Sequence, residues 1–499
     1  MIVLLSSNYS YSQMQQDWAR RYRGPLPYGD AGAGSVCVDD SGNVYVTGAV
    51  NIASGAKCTS IKYNKYGDSL WVRDYQRPGY NYNYGNDILL DDSGNVLVAG
   101  AESVLKYDRI GNLLWTAYHS ADYTKIALGL DGFIYAAGIG SGRYVVSKYD
   151  RNGNLYWRSS IIGAYKLKDL EIDKDGNILI LGYSLYYITD YDYRTIKFTT
   201  NGRVIWDIHY NGIGPPPAND NPYSLTTDND ANVYVTGASQ DQSSIHNCTT
   251  VKYDSSGNEI WVKRIHPPNN GYDIKVDESQ NVYIAARSSG FNYTFKLDIN
   301  GNIMWTSTYP TNDVFGINQS VLILDSINNV YVTANVDSNN STRYAAIKYD
   351  NNGNQIFIVN YHYVNIEFNY VYDMVLDKNG SVYLTGQSNT SYATVKYSPT
   401  IISGINENIG TPKKYVLHQN YPNPFNPKTV INYELRVTSD AKLIVFDVLG
   451  NEVAELVNEK QNMGSYSVEF DGSGFASGIY FYRLEAGGFV ETRRMILLK

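Results

Sequence analysis

Two acidic turns have the residue types and spacing that come nearest to a metal site in this 499-residue sequence. The segments DKDGN (173–177) and DNDAN (228–232) place Asp at alternate positions, as the start of a calcium loop does. Both lack the downstream Glu and the oxygen spacing of a complete EF-hand loop, so a type I or Asx turn is the favoured interpretation. The sequence therefore predicts no cofactor, with calcium at these turns as the alternative.

Catalytic motifs are missing from the sequence as a whole. It contains no G-x-S-x-G, P-loop or G-x-G-x-x-G segment. The histidines are scattered, without the spacing of HExxH or of a Cys/His zinc site; they are His119, His209, His246, His266, His362 and His418. We therefore assign no catalytic and no metal-binding residues. Whether the protein is an enzyme stays open, and a non-enzyme is favoured.

Composition favours strands and turns over helices. The chain has 48 Tyr and 43 Gly, and only 18% of its residues are charged. It has no apolar run long enough to span a membrane, and its net charge of −8 argues against a nucleic-acid surface. The apolar start MIVLLSS, followed by the polar SNYSYSQ, is interpreted as a residual secretory signal peptide over residues 1–12. An almost entirely β, secreted protein is predicted.

An internal repeat dominates residues 13–397. The phrase D-x-x-G-N-V-Y-V-T-G recurs in eight units, from DDSGNVYVTG (39–48) to DKNGSVYLTG (377–386), and a phrase of the type K-Y-D-x-x-G-N-x-x-W follows the first seven. Each unit reads as four short strands joined by tight Gly-Asn turns, which is typical of a β-propeller blade. The eighth unit stops at KYSP (396–399) without its Trp strand, and QQDWARRYRG (15–24) supplies one. We therefore predict an eight-bladed propeller closed by the N-terminal strand, with seven blades as the alternative.

Two residue types recur at fixed places in every unit. The Trp series suggests an aromatic ligand platform or, more simply, packing between adjacent blades, and the second interpretation is favoured because the residue serves every repeat. The Lys series suggests an anion site or local pairing with carboxylates and turn carbonyls, and again the second is favoured. The series are Trp18, Trp71, Trp115, Trp157, Trp206, Trp261, Trp305 and Phe357, and Lys62, Lys106, Lys148, Lys197, Lys252, Lys296, Lys348 and Lys396.

The connections that vary between units carry the functional hint. The two tight turns of each unit are nearly uniform, whereas the connections on the opposite face differ in length and are rich in Tyr. Tyrosine side chains suit stacking on sugars or peptides, although a Tyr-rich sequence also places Tyr in loops without a function. The candidate ligand-binding residues are Tyr80, Tyr82, Tyr84, Tyr186, Tyr187, Tyr191 and Tyr193.

Two functions remain open for the propeller. A binding or scaffold module would take a glycan, a peptide or a surface protein. A propeller enzyme, such as a lyase, a lactonase or a quinoprotein, would need acids, His or a metal facing the axial channel. The first-strand segments GSVCVD, NDILLD, SLTTD and YDIKVD do not share such a set, so binding is favoured.

The repeat phrases resemble the bacterial SBBP β-propeller repeat family, which implies a secreted or surface protein and supplies no catalytic residues. After a linker (398–412), residues 413–499 predict a small antiparallel sandwich. YPNPFNP, VFDVLGNEV, SGIYFYRL and RRMILLK resemble the type A C-terminal sorting domain of type IX secretion. That resemblance implies binding to the secretion machinery through residues 413–499 and a location outside the cell or on its surface. A monomer is expected.

Overall fold

The structure is a computed structural model, and it places strands and turns throughout the residues that it describes. None of those residues forms a helix long and apolar enough to cross a membrane. The predicted signal peptide (1–12) and nearly all of the predicted linker lie outside them. The described residues are 14–24, 30–187, 190–215, 218–288, 290–311, 320–338, 341–362, 368–399, 415–417, 419–420, 423–461 and 464–498.

The described residues of the compact unit Tyr11–Thr400 form eight four-stranded antiparallel sheets. The chain enters it through β1 (Met14–Tyr22). Sheet 1 contains β2 (Ala31–Val38), β3 (Val44–Ile52), β4 (Gly55–Tyr63) and β5 (Ser69–Tyr75). Sheet 2 contains β6 (Gly85–Leu90), β7 (Val96–Gly100), β8 (Ser103–Tyr107) and β9 (Leu113–Tyr118). Sheet 3 contains β10 (Asp122–Leu128), β11 (Ile134–Gly140), β12 (Arg143–Tyr149) and β13 (Leu155–Ile162).

The next four sheets repeat the same order of strands. Sheet 4 contains β14 (Ala164–Ile172), β15 (Ile178–Tyr187), β16 (Asp190–Phe198) and β17 (Val204–Tyr210). Sheet 5 contains β18 (Asn221–Thr227), β19 (Val233–Gln240), β20 (His246–Tyr253) and β21 (Glu259–Ile265). Sheet 6 contains β22 (Asn270–Val276), β23 (Val282–Ser288), β24 (Phe291–Leu297) and β25 (Ile303–Pro310). Sheet 7 contains β26 (Leu322–Leu324), β27 (Val330–Ser338), β28 (Ser341–Tyr349) and β29 (Gln355–Tyr361).

Sheet 8 joins the two ends of the repeat region. It contains β30 (Asn369–Leu376), β31 (Val382–Ser388) and β32 (Ser391–Pro399), and its fourth strand is β1. β1 runs antiparallel to β32 from Met14 opposite Pro399 to Tyr22 opposite Tyr392. The first strand of each sheet contacts the first strand of the next, and β30 contacts β2.

The tight turns that join first and second strands are built around one aspartate. The carboxylate of Asp39 accepts hydrogen bonds from the backbone N–H of Ser41 and of Asn43 (both 2.9 Å) and from the Asn43 side-chain amide (2.8 Å). Gly42 adopts a φ of 79°, which a side chain rarely tolerates. The same carboxylate-to-backbone bonds recur at Asp91, Asp173, Asp228, Asp277, Asp325 and Asp377.

The repeated tryptophans pack between sheets, as predicted. Trp18 Nε1 of sheet 8 donates to the carbonyl of Lys65 in sheet 1 (3.0 Å), and a Cβ on Gly67 would lie 2.7 Å from the Trp18 ring. The glycine is required because the ring occupies the space of a side chain. Equivalent indole bonds reach the next sheet from Trp71, Trp115, Trp157, Trp206, Trp261 and Trp305.

Several of the repeated lysines pair locally, which agrees with the prediction for them. Lys106 Nζ lies 2.9 Å from the Asp91 carboxylate and donates to the carbonyl of Arg151 (3.0 Å) in the next sheet. Lys197 makes the same two contacts with Asp173 (2.9 Å) and the Ser255 carbonyl (3.2 Å). These lysines therefore hold neighbouring turns together.

The described residues of the second compact unit form two sheets around one core. One sheet is formed by β33 (Val416–Leu417), β34 (Lys428–Leu435) and β37 (Gly464–Asp471). The other is formed by β35 (Ser439–Phe446), β36 (Glu452–Gln461), β38 (Gly478–Ala486) and β39 (Phe489–Leu497). Ile431 and Tyr433 from the first sheet and Leu443 and Tyr482 from the second are fully buried in a shared cluster. The small antiparallel sandwich predicted here is present.

Candidate functional site

Four aspartates occupy one register position in the first strands of alternate sheets. Each lies just after a bulge and reaches a backbone N–H of the next first strand. The bonds are Asp87 from Ile126 N (3.0 Å), Asp169 from Leu225 N (3.0 Å), Asp273 from Leu322 N (2.7 Å) and Asp373 from Val36 N (2.9 Å). Ser35, Lys125 and Ser224 occupy this position in sheets 1, 3 and 5. We call the four aspartates, Asp87, Asp169, Asp273 and Asp373, the aspartate ring.

The first strands do not all carry an acid at this position, in agreement with the sequence, but every second first strand carries the same aspartate. The ring aspartates stand four residues before the turn aspartate or its equivalent, as in NDILLDD and YDMVLDK. This spacing occurs in every second unit, so a comparison that treats all units alike does not find it. The aspartate ring is therefore recognised in the sequence only when the units are compared in pairs.

The carboxylates of the aspartate ring are partly buried and interact with neighbouring donor groups. Burial raises the pKa of Asp373 to about 6 and also raises the pKa of Asp87. Burial would lower the pKa of Lys125, but Asp169 and the three other ring carboxylates more than offset this and raise it. The Ser35 hydroxyl donates to both Asp87 and Asp373 (3.2 and 3.0 Å). The acids are thus occupied by backbone, hydroxyl and ammonium donors.

Among the described residues, bulges precede the ring position in seven first strands and redirect one side chain in each. At the bulged position, sheets 1 to 3 have small or polar residues, whereas sheets 4 to 6 have large ones. β14 has a second irregularity at Tyr165. The bulged residues are Gly34, Asn86, Thr124, Lys168, Tyr223, Tyr272 and Tyr372.

The large bulged residues of sheets 4 to 6 meet in a cluster of aromatic rings around one ammonium group. The Tyr165 ring lies 4.8 Å from Tyr191 and 6.4 Å from Tyr183, with the last pair nearly parallel at 14°. Lys168 Nζ lies 5.3 Å from the Tyr183 ring centroid and 4.6 Å from that of Tyr223. We name the tyrosine–lysine cluster by its members, Tyr165, Tyr183, Tyr191, Tyr223, Tyr272 and Lys168.

The cluster combines exposed faces with a fixed backbone. Tyr165 is 52% exposed, whereas Tyr272 is buried and its ring lies 4.7 Å from that of Tyr223. The Tyr191 carbonyl accepts a hydrogen bond from the backbone of Asp220 (2.6 Å), which fixes the strand that carries it. Rigid aromatic side chains of this kind bind apolar or sugar faces with little loss of conformational entropy.

Lys168 is electrostatically unusual within the cluster. Burial, together with the smaller effects of the nearby Lys166 and Lys125, lowers its pKa to about 8. Among the described residues, no carboxylate opposes these effects on Lys168. The ammonium group therefore lies near two aromatic faces, and no described carboxylate compensates its charge.

The predicted ligand-binding tyrosines separate into different places. Tyr191 belongs to the cluster. Tyr82 and Tyr84 stack on each other (6.4 Å) in the connection before sheet 2, and Tyr80 lies under the Arg77 guanidinium (4.0 Å). Among the described residues, no aromatic contact joins these three rings to the cluster.

The remaining three predicted tyrosines lie in β15 and β16. Tyr193 is 1% exposed and belongs to a core cluster, so its assignment to a binding surface is corrected: no ligand reaches it from outside. Tyr186 and Tyr187 lie in β15, but their side chains are outside the described residues. Tyr165, Tyr223 and Lys168 were missed because a bulge, which the sequence does not reveal, brings them to the cluster.

The two turns considered for calcium use their leading carboxylates internally. Asp173 accepts from the backbone of Asp175 and Asn177 (2.9 and 2.8 Å) and from the Asn177 amide (3.0 Å), and Lys197 pairs with it. Asp228 has the same partners in its own turn and also accepts from Tyr234 Oη (2.9 Å). The Asx-turn interpretation accounts for the contacts made within each turn.

Comparison with known families explains the second compact unit. Residues 419–498 match the family described as "Secretion system C-terminal sorting domain". These residues are a type IX sorting domain. Its presence indicates a secreted, cell-surface protein that interacts with the type IX secretion machinery, as expected from YPNPFNP and VFDVLGNEV. No curated protein is similar enough in sequence to count as a match.

Solved structures similar to the chain include β-propellers. Sqt1 from Chaetomium thermophilum aligns with a TM-score of 0.55 at 10% identity, covering 78% of this chain and 100% of its own. PorZ, a surface component of the type IX secretion system of Porphyromonas gingivalis, aligns at 0.41 and 13%, covering 93% of this chain and 59% of PorZ. A streptogramin B lyase aligns at 0.41 and 12%, covering 76% and 98%. At these identities the likeness concerns the fold alone.

Proposed function

We propose that residues 13–397 form an eight-bladed β-propeller that is closed by its N-terminal strand. Three contacts between sheets 8 and 1 support closure: β30 against β2, the Trp18 indole on the Lys65 carbonyl, and the Asp373 carboxylate on the Val36 N–H. β1 fills the fourth position of sheet 8, which residues 369–399 leave open. Closure of this kind removes the exposed strand edges of an open repeat array.

The same proposal sets the domain boundaries. Residues 398–412 are the linker and residues 413–499 the sorting domain, with a residual signal peptide over residues 1–12. The repeat phrases that begin at Asp39 and Lys62 support assignment of the propeller to the SBBP type. Each blade then contributes one first strand to a common axis, and the aspartate ring surrounds that axis.

The proposed function is non-catalytic binding at the cell surface, with a glycan, peptide or surface protein as ligand. The observation that carries it is the tyrosine–lysine cluster, in which Tyr165, Tyr183 and Tyr191 lie within 6.4 Å of one another by ring centroid. The cluster is built on bulged strands rather than on long loops, so its geometry is held by the sheets. Such preorganisation reduces the entropy lost when a ligand binds.

The enzyme alternative is less well supported. A propeller lyase or lactonase needs acids that are free to bind a metal or move a proton. The four ring aspartates instead accept hydrogen bonds from the neighbouring strands, as in Asp169, which receives the Leu225 N–H and the Ser224 hydroxyl. Among the described residues, no cluster of three or more His, Cys, Asp or Glu side chains is arranged to hold a metal ion.

A glycan and peptide array with the full-length protein tests the binding function. Tyr191→Ala should abolish or strongly weaken the signal, because it removes one face of the cluster. Tyr82→Ala is the matched control, since this tyrosine is 63% exposed and lies apart from the cluster. Equal losses from both variants, or turnover of an arrayed compound without retention, would contradict the proposal.

A further inference from the structure

We infer that the tyrosine–lysine cluster selects an acidic oligosaccharide, with Lys168 binding the carboxylate of a uronic acid unit. This inference rests on the proposed binding function and names its ligand class. The cluster provides one cation between two aromatic faces, and an acidic sugar has the matching parts: a carboxylate and a ring with apolar C–H faces.

Within the part of the chain that the structure describes, no carboxylate pairs with Lys168. The charged groups that affect its pKa are lysines, namely Lys125 and the exposed Lys166 two residues earlier in β14. In contrast, Lys125 lies 3.8 Å from the Asp169 carboxylate, and Lys275 lies 3.8 Å from that of Asp273. The lysines at the ring are therefore compensated, while Lys168 is available. A carboxylate there would gain a charge-assisted hydrogen bond in a partly dehydrated site.

The aromatic groups fit a sugar ring on either side of that carboxylate. Tyr183 and Tyr223 come from different sheets, and Lys168 Nζ lies near the face of each. Tyr165, with half of its surface exposed, adds a further aromatic ring beside Tyr183. A chain of pyranose rings can therefore contact Tyr165 and Tyr191 while one unit places its carboxylate on Lys168.

An extended acidic peptide fits this place less well. A peptide that adds to a strand edge needs free backbone N–H groups. On the first strands of sheets 4 and 5, the N–H groups of Leu170 and Leu225 already donate to the Asp169 carboxylate (both 3.0 Å). The N–H of Thr227 donates to Glu171 (3.3 Å). These backbone N–H groups already donate to side-chain carboxylates. A ligand at this place is therefore recognised through side chains and not by addition of a strand.

Titration calorimetry with the full-length protein tests the inference. The probes are trigalacturonate, the same trisaccharide with methyl-esterified carboxylates, and a polyglutamate peptide. Trigalacturonate should bind, and Lys168→Met should raise its Kd by about 10- to 100-fold, because a hydrogen bond to a charged group contributes that much. Lys168→Arg should retain most of the affinity, and binding should weaken with added salt.

The control and the opposing outcomes separate this inference from the function that it rests on. Lys378→Met removes an exposed turn lysine and should leave the Kd unchanged. If the methyl ester binds as well as the acid and Lys168→Met has no effect, the acidic class is wrong while glycan binding stands. If only polyglutamate binds, the ligand is a peptide and the inference fails. If none of the probes binds and the array is also negative, both proposals fail.

Discussion

Replacement of Trp18 by alanine is expected to destabilise the repeat unit as strongly as loss of an internal tryptophan. Trp18 is 5% exposed, and its ring contacts Tyr63 of sheet 1 (5.9 Å) and Tyr383 of sheet 8 (6.3 Å). Truncation of a buried aromatic residue costs about 3–5 kcal/mol of unfolding free energy. The indole bond to the Lys65 carbonyl (3.0 Å) adds about 1 kcal/mol.

The matched control is Trp71→Ala. Trp71 is 7% exposed and joins sheets 1 and 2 through the Arg109 carbonyl (3.3 Å), so it has the same environment within a continuous part of the chain. If the N-terminal strand closes a ring, the two variants should lose similar free energies in urea unfolding. If β1 is only an appended strand, Trp18→Ala should leave the main transition almost unchanged.

Hydrogen exchange locates the effect, because repeat arrays do not always unfold in one step. Trp18→Ala should speed amide exchange in β32 and in the β4–β5 turn of sheet 1, which the indole joins. Deletion of residues 13–24 should do the same over residues 371–397. The closure is refuted if Trp18→Ala changes stability by less than about 0.5 kcal/mol and leaves exchange in β32 as it was.

Three further predictions concern packing, pH and the sorting domain. Gly153→Ala should lower stability by about 2 kcal/mol or more in thermal unfolding, since φ is 83° and a Cβ would lie 2.5 Å from the Trp115 ring. The folded-state pKa of Asp373 is raised to about 6, so its stabilising contribution is complete below about pH 4 and lost as pH rises through 6. The stability of the protein relative to Asp373→Asn, measured by urea unfolding, should therefore be greater at pH 4.5 than at pH 7.5. An equal difference at both pH values would contradict the raised pKa of Asp373. Leu449→Ala should change stability by less than about 0.5 kcal/mol because the side chain is 83% exposed, whereas the fully buried Leu443→Ala should cost about 2–5 kcal/mol.

The repeat phrases are sufficient to predict much of the fold. Asp39 and Gly42 predict a tight turn because the carboxylate and the missing side chain act within a few residues. The Trp series predicts contacts between sheets because an aromatic residue, seven times Trp and once Phe357, recurs at the same position of every unit. The sorting domain is recognised from YPNPFNP and VFDVLGNEV, which lie within one short region.

The candidate site was harder to predict. Tyr191 was identified from its loop-like, Tyr-rich surroundings, but Tyr193, two residues later in β16, is buried because its ring packs in a core cluster that includes Leu225 of the next sheet. Lys168 stands in an ordinary strand sequence, and its position beside Tyr223 depends on bulges in two separate sheets. A bulge shifts the register without leaving a clear residue signature, so the sequence does not reveal it.

The division between local and long-range information has a physical basis. Strand type, turn chemistry and the number of repeated units follow from residues close together in the chain, whose preferences are local. Which side chains from separate units meet is set by register and by contacts between residues far apart in the chain, as between Asp169 and Leu225 (3.0 Å). The repeats and the sorting domain could therefore be predicted from the sequence, whereas the aspartate ring and the tyrosine–lysine cluster became visible when the sheets were placed side by side.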